Sequence, residues 1–380
     1  MFLLLDWAKA FDRIRVDALL QSLSRFGLPA QMLEMIRAIY TLRIFDVRES
    51  GCTSTTRLQA SGIAQGCPLS PYLFIIAQTV LLWDVDHAMA REGFDVPEPE
   101  HVVTNDVLYA DDTLLISASE QRLQRHLELI VAEGKAYGME LNWDKTVVMQ
   151  IRHHGEIKNQ DGVILKCVSQ AIYLGGLLTS DGSAISELAR RLGEAGRCFE
   201  QLQSVWKHAN ISRLRKLQIY NACVVAKVLY ALDSLWLLKA DRRRLDAFHC
   251  KCLRRICGIK HSWISHVTNQ TVLDTAGAVP LSQHVIQQQL GLFRRLSQLS
   301  VDSYPRQLVF EDNTLLPKKW PQLRPQGRPK QQWADNMFRV SLVLTSGSQP
   351  ELVRLFADTQ QAAAEWQHAV KSHNFGHNFL

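Results

Sequence analysis

Val107-Leu108-Tyr109-Ala110-Asp111-Asp112-Thr113-Leu114-Leu115-Ile116-Ser117 sets two adjacent acids between two apolar runs. An apolar run, a short turn and a second apolar run predict a β-hairpin with both strands buried and the acids at its tip. No Lys or Arg lies nearby in the sequence. Two carboxylates side by side are costly unless something cationic sits on them, and a divalent metal ion is the simplest answer. Each acid taken alone reads equally well as a solvated turn residue.

A second acid has a similar setting. Phe2-Leu3-Leu4-Leu5 is a short apolar run that ends in Asp6, and Trp7-Ala8-Lys9-Ala10-Phe11-Asp12 follows. An apolar strand with an aspartate at its end is a common way for a sheet to present a catalytic carboxylate. A fold that joined Asp6 to Asp111 and Asp112 would make an oxygen site suited to Mg²⁺. Such a site also suits two-metal phosphoryl transfer. The third element is Ser61-Gly62-Ile63-Ala64-Gln65-Gly66-Cys67-Pro68-Leu69-Ser70-Pro71, a glycine- and proline-rich loop before an apolar helix from about Pro71 to Met89. Gly62 and Gly66 allow the backbone to approach a ligand closely, and Pro71 suits a first helical turn.

These three stretches, in this order, resemble the A, B and C motifs of the reverse-transcriptase palm. Leu141-Asn142-Trp143-Asp144-Lys145-Thr146 is similar to the D motif, and Tyr173-Leu174-Gly175-Gly176-Leu177-Leu178 to the primer-grip stretch that follows it. The set is most similar to the non-LTR (LINE-type) retrotransposon branch. The resemblance implies an α+β fold: a split-βαβ-like antiparallel palm sheet with helices, then an all-α thumb bundle. It implies RNA-directed DNA polymerase activity with Mg²⁺, Mn²⁺ being the alternative, on an RNA template and a DNA primer with dNTPs. Asp6, Asp111 and Asp112 become the metal-site acids. Lys145 becomes the residue that neutralises or protonates pyrophosphate. Phe11 becomes the gate that rejects a ribose 2′-hydroxyl, and Gln65 and Gly66 the contacts to the incoming nucleotide. Trp7 would contribute its backbone carbonyl.

The sequence starts almost at Asp6, so the resemblance leads us to expect fingers and endonuclease segments elsewhere in a longer polyprotein. It also implies an intracellular protein acting in the nucleus. Two other readings are a catalytically inactive remnant that binds nucleic acid through its basic half, and a Mg²⁺ phosphohydrolase. The Gln65 loop and the basic helices disfavour the last.

Composition is ordinary for a globular chain of 380 residues, 47% hydrophobic and 21% charged, enough for two to three domains. The longest apolar run, Phe74 to Trp83, is broken by Gln78 and is shorter than a membrane span. The opening apolar run stops at Asp6, so neither a signal peptide nor a membrane partner is expected. The eight cysteines lack the spacing of a disulfide scaffold. His249, Cys250, Cys252 and Cys257 lie on a predicted helix, Asp241 to Cys257, whose apolar stripe makes buried thiols the better reading than zinc ligands.

The net charge of +6 is unevenly spread. From Met1 to Ser180 there are 16 Lys/Arg against 22 Asp/Glu, and from Asp181 to Ser300 18 against 8. An acidic half followed by a basic helical half fits metal binding in one and phosphate contact in the other. Arg242, Arg243, Arg244, Arg254 and Arg255 are the densest cations. We expect a palm over 1–182, a helical thumb and extension over 183–300, a Pro-rich basic linker over 301–330, and short helices over 331–380. Within the thumb, Ile211 to Leu238 is expected to be helical. Gly327-Arg328-Pro329-Lys330-Gln331-Gln332-Trp333 resembles a segment found downstream of the thumb in related elements.

Overall fold

A computed structural model of the protein describes residues 1–94, 104–151, 153–320, 332–373 and 375. The chain divides into two compact units, Met1–Leu174 and Gly175–Leu380.

The first unit is built on a five-stranded sheet. Its strand order is Asp106–Tyr109, Asp112–Ile116, Phe2–Leu5, Val147–Met149, Lys166–Cys167. The apolar, leucine-rich run Phe2–Leu5 takes a central place, with Leu3 fully buried. Its neighbours pair antiparallel, with Leu5 opposite Thr113 and Leu4 opposite both Leu114 and Val147. The sheet is mixed rather than purely antiparallel, because Lys166–Cys167 runs parallel to Val147–Met149. Residues 150–165 supply the long crossover that a parallel pair requires. The hairpin also differs from expectation in one respect. Its second strand is buried, but Asp106–Tyr109 is the sheet edge, and Val107, Leu108 and Tyr109 are exposed.

Helices Val16–Phe26, Ser70–Arg91 and Glu120–Ala136 supply the rest of this core, joined by Ile36 and Tyr40 of the helix Ala30–Tyr40. Gly27 and Gly138 follow two helix ends at φ 100° and 76°, the left-handed geometry that satisfies terminal carbonyls. Between Arg43 and Gln59 two small hairpins are nested, Ile44–Phe45 with Arg57–Leu58 and Arg48–Glu49 with Cys52–Thr53. The helix Ser70–Arg91 is, by length and composition, long and apolar enough to cross a membrane, longer than the apolar run suggested. It serves as a core helix: Leu73, Phe74, Ala77, Leu81 and Val85 are buried in the unit.

The second unit is helical. Its boundary lies at Gly175 rather than after Gly182, because the strand Gly176–Thr179 packs on the helix Ala184–Gln201. Arg190 and Arg191 of that helix also donate to the Gly175 carbonyl. The helix expected over 211–238 is shorter, running from Arg213 to Leu229 through a π turn at Asn221–Val225. It stops where Tyr230 turns extended and Ala231 takes φ 61°. The helix Lys239–Cys257 buries Leu245, Cys250, Cys252, Leu253 and Ile256. Burial pushes the Cys252 thiol up to about 12, and the His249 Nδ1 is 2.8 Å from the Tyr220 hydroxyl.

The linker reading needs correction where the structure describes it. Phe310 is buried against Phe293, at 4.9 Å between ring centroids, and Arg306 donates to the Ser297 carbonyl. Residues 304–318 thus close onto the helix Leu281–Ser297 instead of extending. The C-terminal helices share that core through Trp333, Met337, Phe356 and Trp366, so they are not a separate body. The short helices expected over 331–380 include Gln349–Phe356 and Gln360–Ser372, the second capped by Thr359. Residues 321–331, which hold Pro321, Pro325, Pro329 and most of the Gly327–Trp333 segment, lie outside the described residues.

Among the described residues each unit buries one histidine. Desolvation, and secondarily Arg122, holds His126 down to about 4, and its Nε2 has no partner among the described residues. Burial, helped by His284, does the same to His249, also to about 4. Both are neutral when folded and take up a proton when unfolded. Their stabilising effect is therefore complete above about pH 6.5 and is lost as pH falls towards 4, at about 1.4 kcal/mol per pH unit per histidine. Urea unfolding midpoints are expected to drop between pH 7 and 4.5. His126→Leu and His249→Leu, each in its own unit, should flatten that slope.

Candidate active site

The register of Phe2–Leu5 on Asp112–Ile116 carries Asp6 to the same sheet end as Asp112. The opposing hairpin is closed by two residues, Ala110 and Asp111, because Tyr109 pairs directly with Asp112. Ala110 is held at φ 53° and Lys9, three residues after Asp6, at φ 54°. Left-handed backbone at a non-glycine costs on the order of 1 kcal/mol, and such strain collects at functional sites. Asp112 feels the crowding. Burial first, then Asp111, then Asp6 raise its pKa above the ordinary carboxylate value. Asp112 is therefore coupled to both Asp111 and Asp6.

Behind the acids lies a buried polar relay. The Trp7 indole and the Gln78 amide both donate to Thr113 Oγ1, at 3.4 and 3.3 Å. Gln78, the residue that breaks the apolar run of its helix, is thus a support for the strand that bears Asp112. The chain after Asp6 is fixed by main-chain bonds, Asn142 N to Asp6 O at 2.7 Å and Ala8 N to Glu140 O at 2.8 Å. A tight turn over Asn142–Thr146 then folds Lys145 back, and its Nζ stands 3.5 Å from Asp6 Oδ2. The acids are not wholly without a cation, as the sequence alone suggested. The ion pair is exposed, and solvent screens it.

Two openings flank the acids. A groove of about 290 Å³ is lined by Asp6, Asp112, Lys145, Gln170 and Tyr173, among others. A wider cleft of about 580 Å³ is lined by Phe11, Gln65, Gly66, Pro68, Pro71 and Asp111. The structure thus gathers Phe11, Gln65 and Gly66 beside Asp111, and Lys145 beside Asp6 and Asp112. The Gln65 loop is pinned on the segment after Asp6. Gly62 N donates to Ile14 O, Ile63 N to Phe11 O and Gln65 Nε2 to Asp12 Oδ1. Gly62 fits only as glycine, since a Cβ there would stand 2.6 Å from Asp12 O at φ +86°. The Phe11 ring lies on Phe74, 4.8 Å between centroids and 16° between planes.

Among the described residues no group of three or more His, Cys, Asp and Glu side chains is spaced to hold an ion unaided. Mg²⁺ takes one or two carboxylates and completes its shell with waters and substrate phosphates. An open set of aspartates, one of them destabilised by its neighbours, fits that habit.

The basic residues of the second unit divide into two kinds. Arg254 is buried and bonded to Lys260 O, Val267 O and Asn269 Oδ1. Arg242 is half-buried over the Trp236 ring, and Arg255 pairs with Glu200. Arg190 and Arg191 are tied to Glu187. These arginines hold the fold together, so the dense cation run is less available than its sequence implied. Arg213, Arg243, Lys251 and Lys260 are exposed.

Residues 1–178 match the family described as reverse transcriptase (RNA-dependent DNA polymerase). The chain is 27% identical over 172 residues to the Pol polyprotein from type-2 retrotransposable element R2DM of Drosophila melanogaster, covering 45% of this chain and 15% of that protein. It is 24% identical over 271 residues to the RNA-directed DNA polymerase from mobile element jockey of Drosophila funebris, covering 67% of this chain and 28% of that protein. Residues 1–178 form a reverse-transcriptase domain of the non-LTR retrotransposon kind. The chain spans well under a third of either relative. A solved telomerase from Candida albicans, with a fragment of telomeric RNA, covers 80% of this chain and 49% of its own at 14% identity and a TM-score of 0.33. That score is too low to carry an argument.

Some parts of the candidate site had no clear sequence signal. Tyr173 donates to Val107 O at 2.9 Å and so holds the exposed edge of the acid hairpin. Burial, then Asp112 and Asp106, push its pKa up to about 12. Only the fold brings it there. Phe74 read as one apolar residue among many. The polar residue inside an apolar helix, Gln78, was the one visible hint of the relay.

Two outcomes are expected. Asp112→Asn removes a carboxylate whose charged form is disfavoured in the folded state. It should raise the urea midpoint at pH 7 in EDTA, and the gain should fade as pH falls towards 4 and be absent below it. Gly62→Ala should cost about 2 kcal/mol or more through clash and positive φ, whereas Gly66→Ala, with nothing within 4 Å of its Cβ, should cost about 1 kcal/mol.

Proposed function

We propose that this chain carries out RNA-directed DNA synthesis, adding dNTPs to a primer 3′-hydroxyl on an RNA template. The observation that carries the reading is the coupling of Asp112 to Asp111 and Asp6 at the lip of the cleft lined by Phe11, Gln65 and Gly66. Asp6 and Asp111 are the residues to hold Mg²⁺, with Mn²⁺ as a substitute, and Asp112 supports them electrostatically. A metal bound there would activate the 3′-hydroxyl and neutralise charge on the α-phosphate and leaving pyrophosphate.

The residues of the chain divide the remaining work. The hydroxyl oxygen, giving up its proton to solvent water, attacks the α-phosphorus as the bond to pyrophosphate breaks. Lys145 leaves Asp6 for the triphosphate and supplies positive charge, or a proton, to the departing pyrophosphate. Gln65 and Gly66 lie against the nucleotide. The Phe11 ring, held flat by Phe74, meets the sugar where a 2′-hydroxyl would project. The exposed cations of the helical unit take the backbone of the primer–template.

Primer extension on an RNA template tests the reading. Asp6→Asn and Asp111→Asn should each lower kcat/KM by more than about 100-fold, the upper end for residues that only support metal ligands. Lys145→Met should lower kcat more than it raises KM. Phe11→Val should raise use of rNTP relative to dNTP, and an unchanged ratio would leave Phe11 as packing. Primer–template binding should weaken steeply with salt. Salt-sensitive binding without extension would favour the non-catalytic, nucleic-acid-binding reading.

A further inference from the structure

Trp263 is 75% exposed, an unusual position for the largest side chain, and Ile264 beside it is 44% exposed. The segment that carries them is firmly built. The helix Lys239–Cys257 ends in Gly258 at φ 71°, and Ile259 N returns to Arg254 O at 2.8 Å. Ile259 and Val267 pack at the two ends of the loop on the core of the unit. The buried Arg254 guanidinium spans the loop from within, donating to Lys260 O, Val267 O and Asn269 Oδ1. Ser265 Oγ donates to Lys260 O and His261 O, and the short helix Ser262–Ser265 closes on His261 O. The fold therefore spends a buried arginine to hold a loop whose tryptophan stays outside. The His261 ring lies near-parallel to the Trp263 ring, at 11° and 6.3 Å between centroids.

The surroundings identify the occupant. From Ala247 to Leu273 the sequence has no Asp or Glu, and of its four cations Arg254 is buried and Arg255 pairs with Glu200, which leaves Lys251 and Lys260 exposed. Lys260, His261 and His266 are exposed around the tryptophan. A protein partner would favour a broad apolar patch poor in lysine, and Trp263 with Ile264 is a small one with the exposed Lys260 on the same loop. An exposed indole beside a lysine, on a loop with no acid of its own, suits unpaired bases whose phosphates run past the lysine.

We propose that the loop Ile259–Val267 is a stacking platform for single-stranded nucleic acid, with a base on Trp263 and the adjoining phosphate on Lys260. Arg254 is its positioning residue. The proposal rests on the nucleic-acid reading above and adds to it a site for a strand outside the paired primer–template.

The test compares, with the full chain, an oligoadenylate of about 12 nucleotides and an abasic strand of the same length, by fluorescence anisotropy. The parent should prefer the strand that has bases. Trp263→Ala should lose about 5- to 150-fold in affinity for that strand and nothing for the abasic one, and Trp263→Phe should keep most of the preference. Lys260→Ala should weaken both strands alike and lower the salt slope by about one phosphate. Arg254→Lys should behave as a milder Trp263→Ala. Unchanged oligoadenylate binding by Trp263→Ala, with primer–template binding intact, overturns the platform alone. So does a Trp263→Ala variant that alters only self-association in light scattering, which would mark a protein contact. A parent chain that binds neither duplex nor single strand overturns the functional reading and the platform together.

Discussion

Leu5 opposite Thr113 is the pairing on which the first unit depends. A slip of one residue would turn the leucines of Phe2–Leu5 out of the core. The same slip would carry Asp6 away from Asp112. The hydrophobic requirement of the sheet and the placement of the acids are therefore one constraint. Burial of Leu3 and Leu115 fixes the register, and the register gathers three carboxylates that repel one another. The sheet accepts the burial of Asp112 and, secondarily, its repulsion by Asp111 and Asp6, which together raise its pKa, and two left-handed residues, Lys9 and Ala110, next to it.

The surroundings of the acids are arranged to hold positions. Thr113 receives two donors from behind, Tyr173 holds the edge strand, and Gly62 lets one loop lie on the backbone of Asp12. Phe74, fully buried, presents Phe11 to the cleft as a flat ring. A site of this kind works by orientation, since positioning reacting groups is worth many kcal/mol. Lys145 is the exception. It is an exposed side chain on a tight turn, held by a screened ion pair, and can move between partners at little cost.

In the helical unit arginine has two physical roles that a count of charges merges. Arg254, Arg191 and Arg306 are buried and bond to backbone carbonyls, which uses the fixed fork of the guanidinium as a brace. Arg213, Arg243, Lys251 and Lys260 face solvent. Only the second kind can meet a phosphate without breaking the fold. The charge asymmetry along the chain is real, but its usable part is smaller than the excess of cations suggests.

Much of the first unit was legible in the sequence. Apolar runs ending in Asp6 and flanking Asp111–Asp112 specify strands with acids at their ends, since alternation and run length act locally. Gly62, Gly66 and Pro71 mark a loop entering a helix for the same local reason. The fold class and the family followed from those residues in that order. What distant packing decides could not be read. Edge and centre look alike in an apolar strand, so the exposure of Val107 and Leu108 was hidden. The proline-rich stretch near Phe310 looked extended until Phe293 offered it a core. Lys145 reaches Asp6, Tyr173 reaches Val107 and Arg254 turns inward, each across a separation in sequence that carries no pattern. Local chemistry set which residues were acids, turns and strands; only tertiary packing decided which of them meet, because burial and electrostatic coupling depend on neighbours that the chain order does not name.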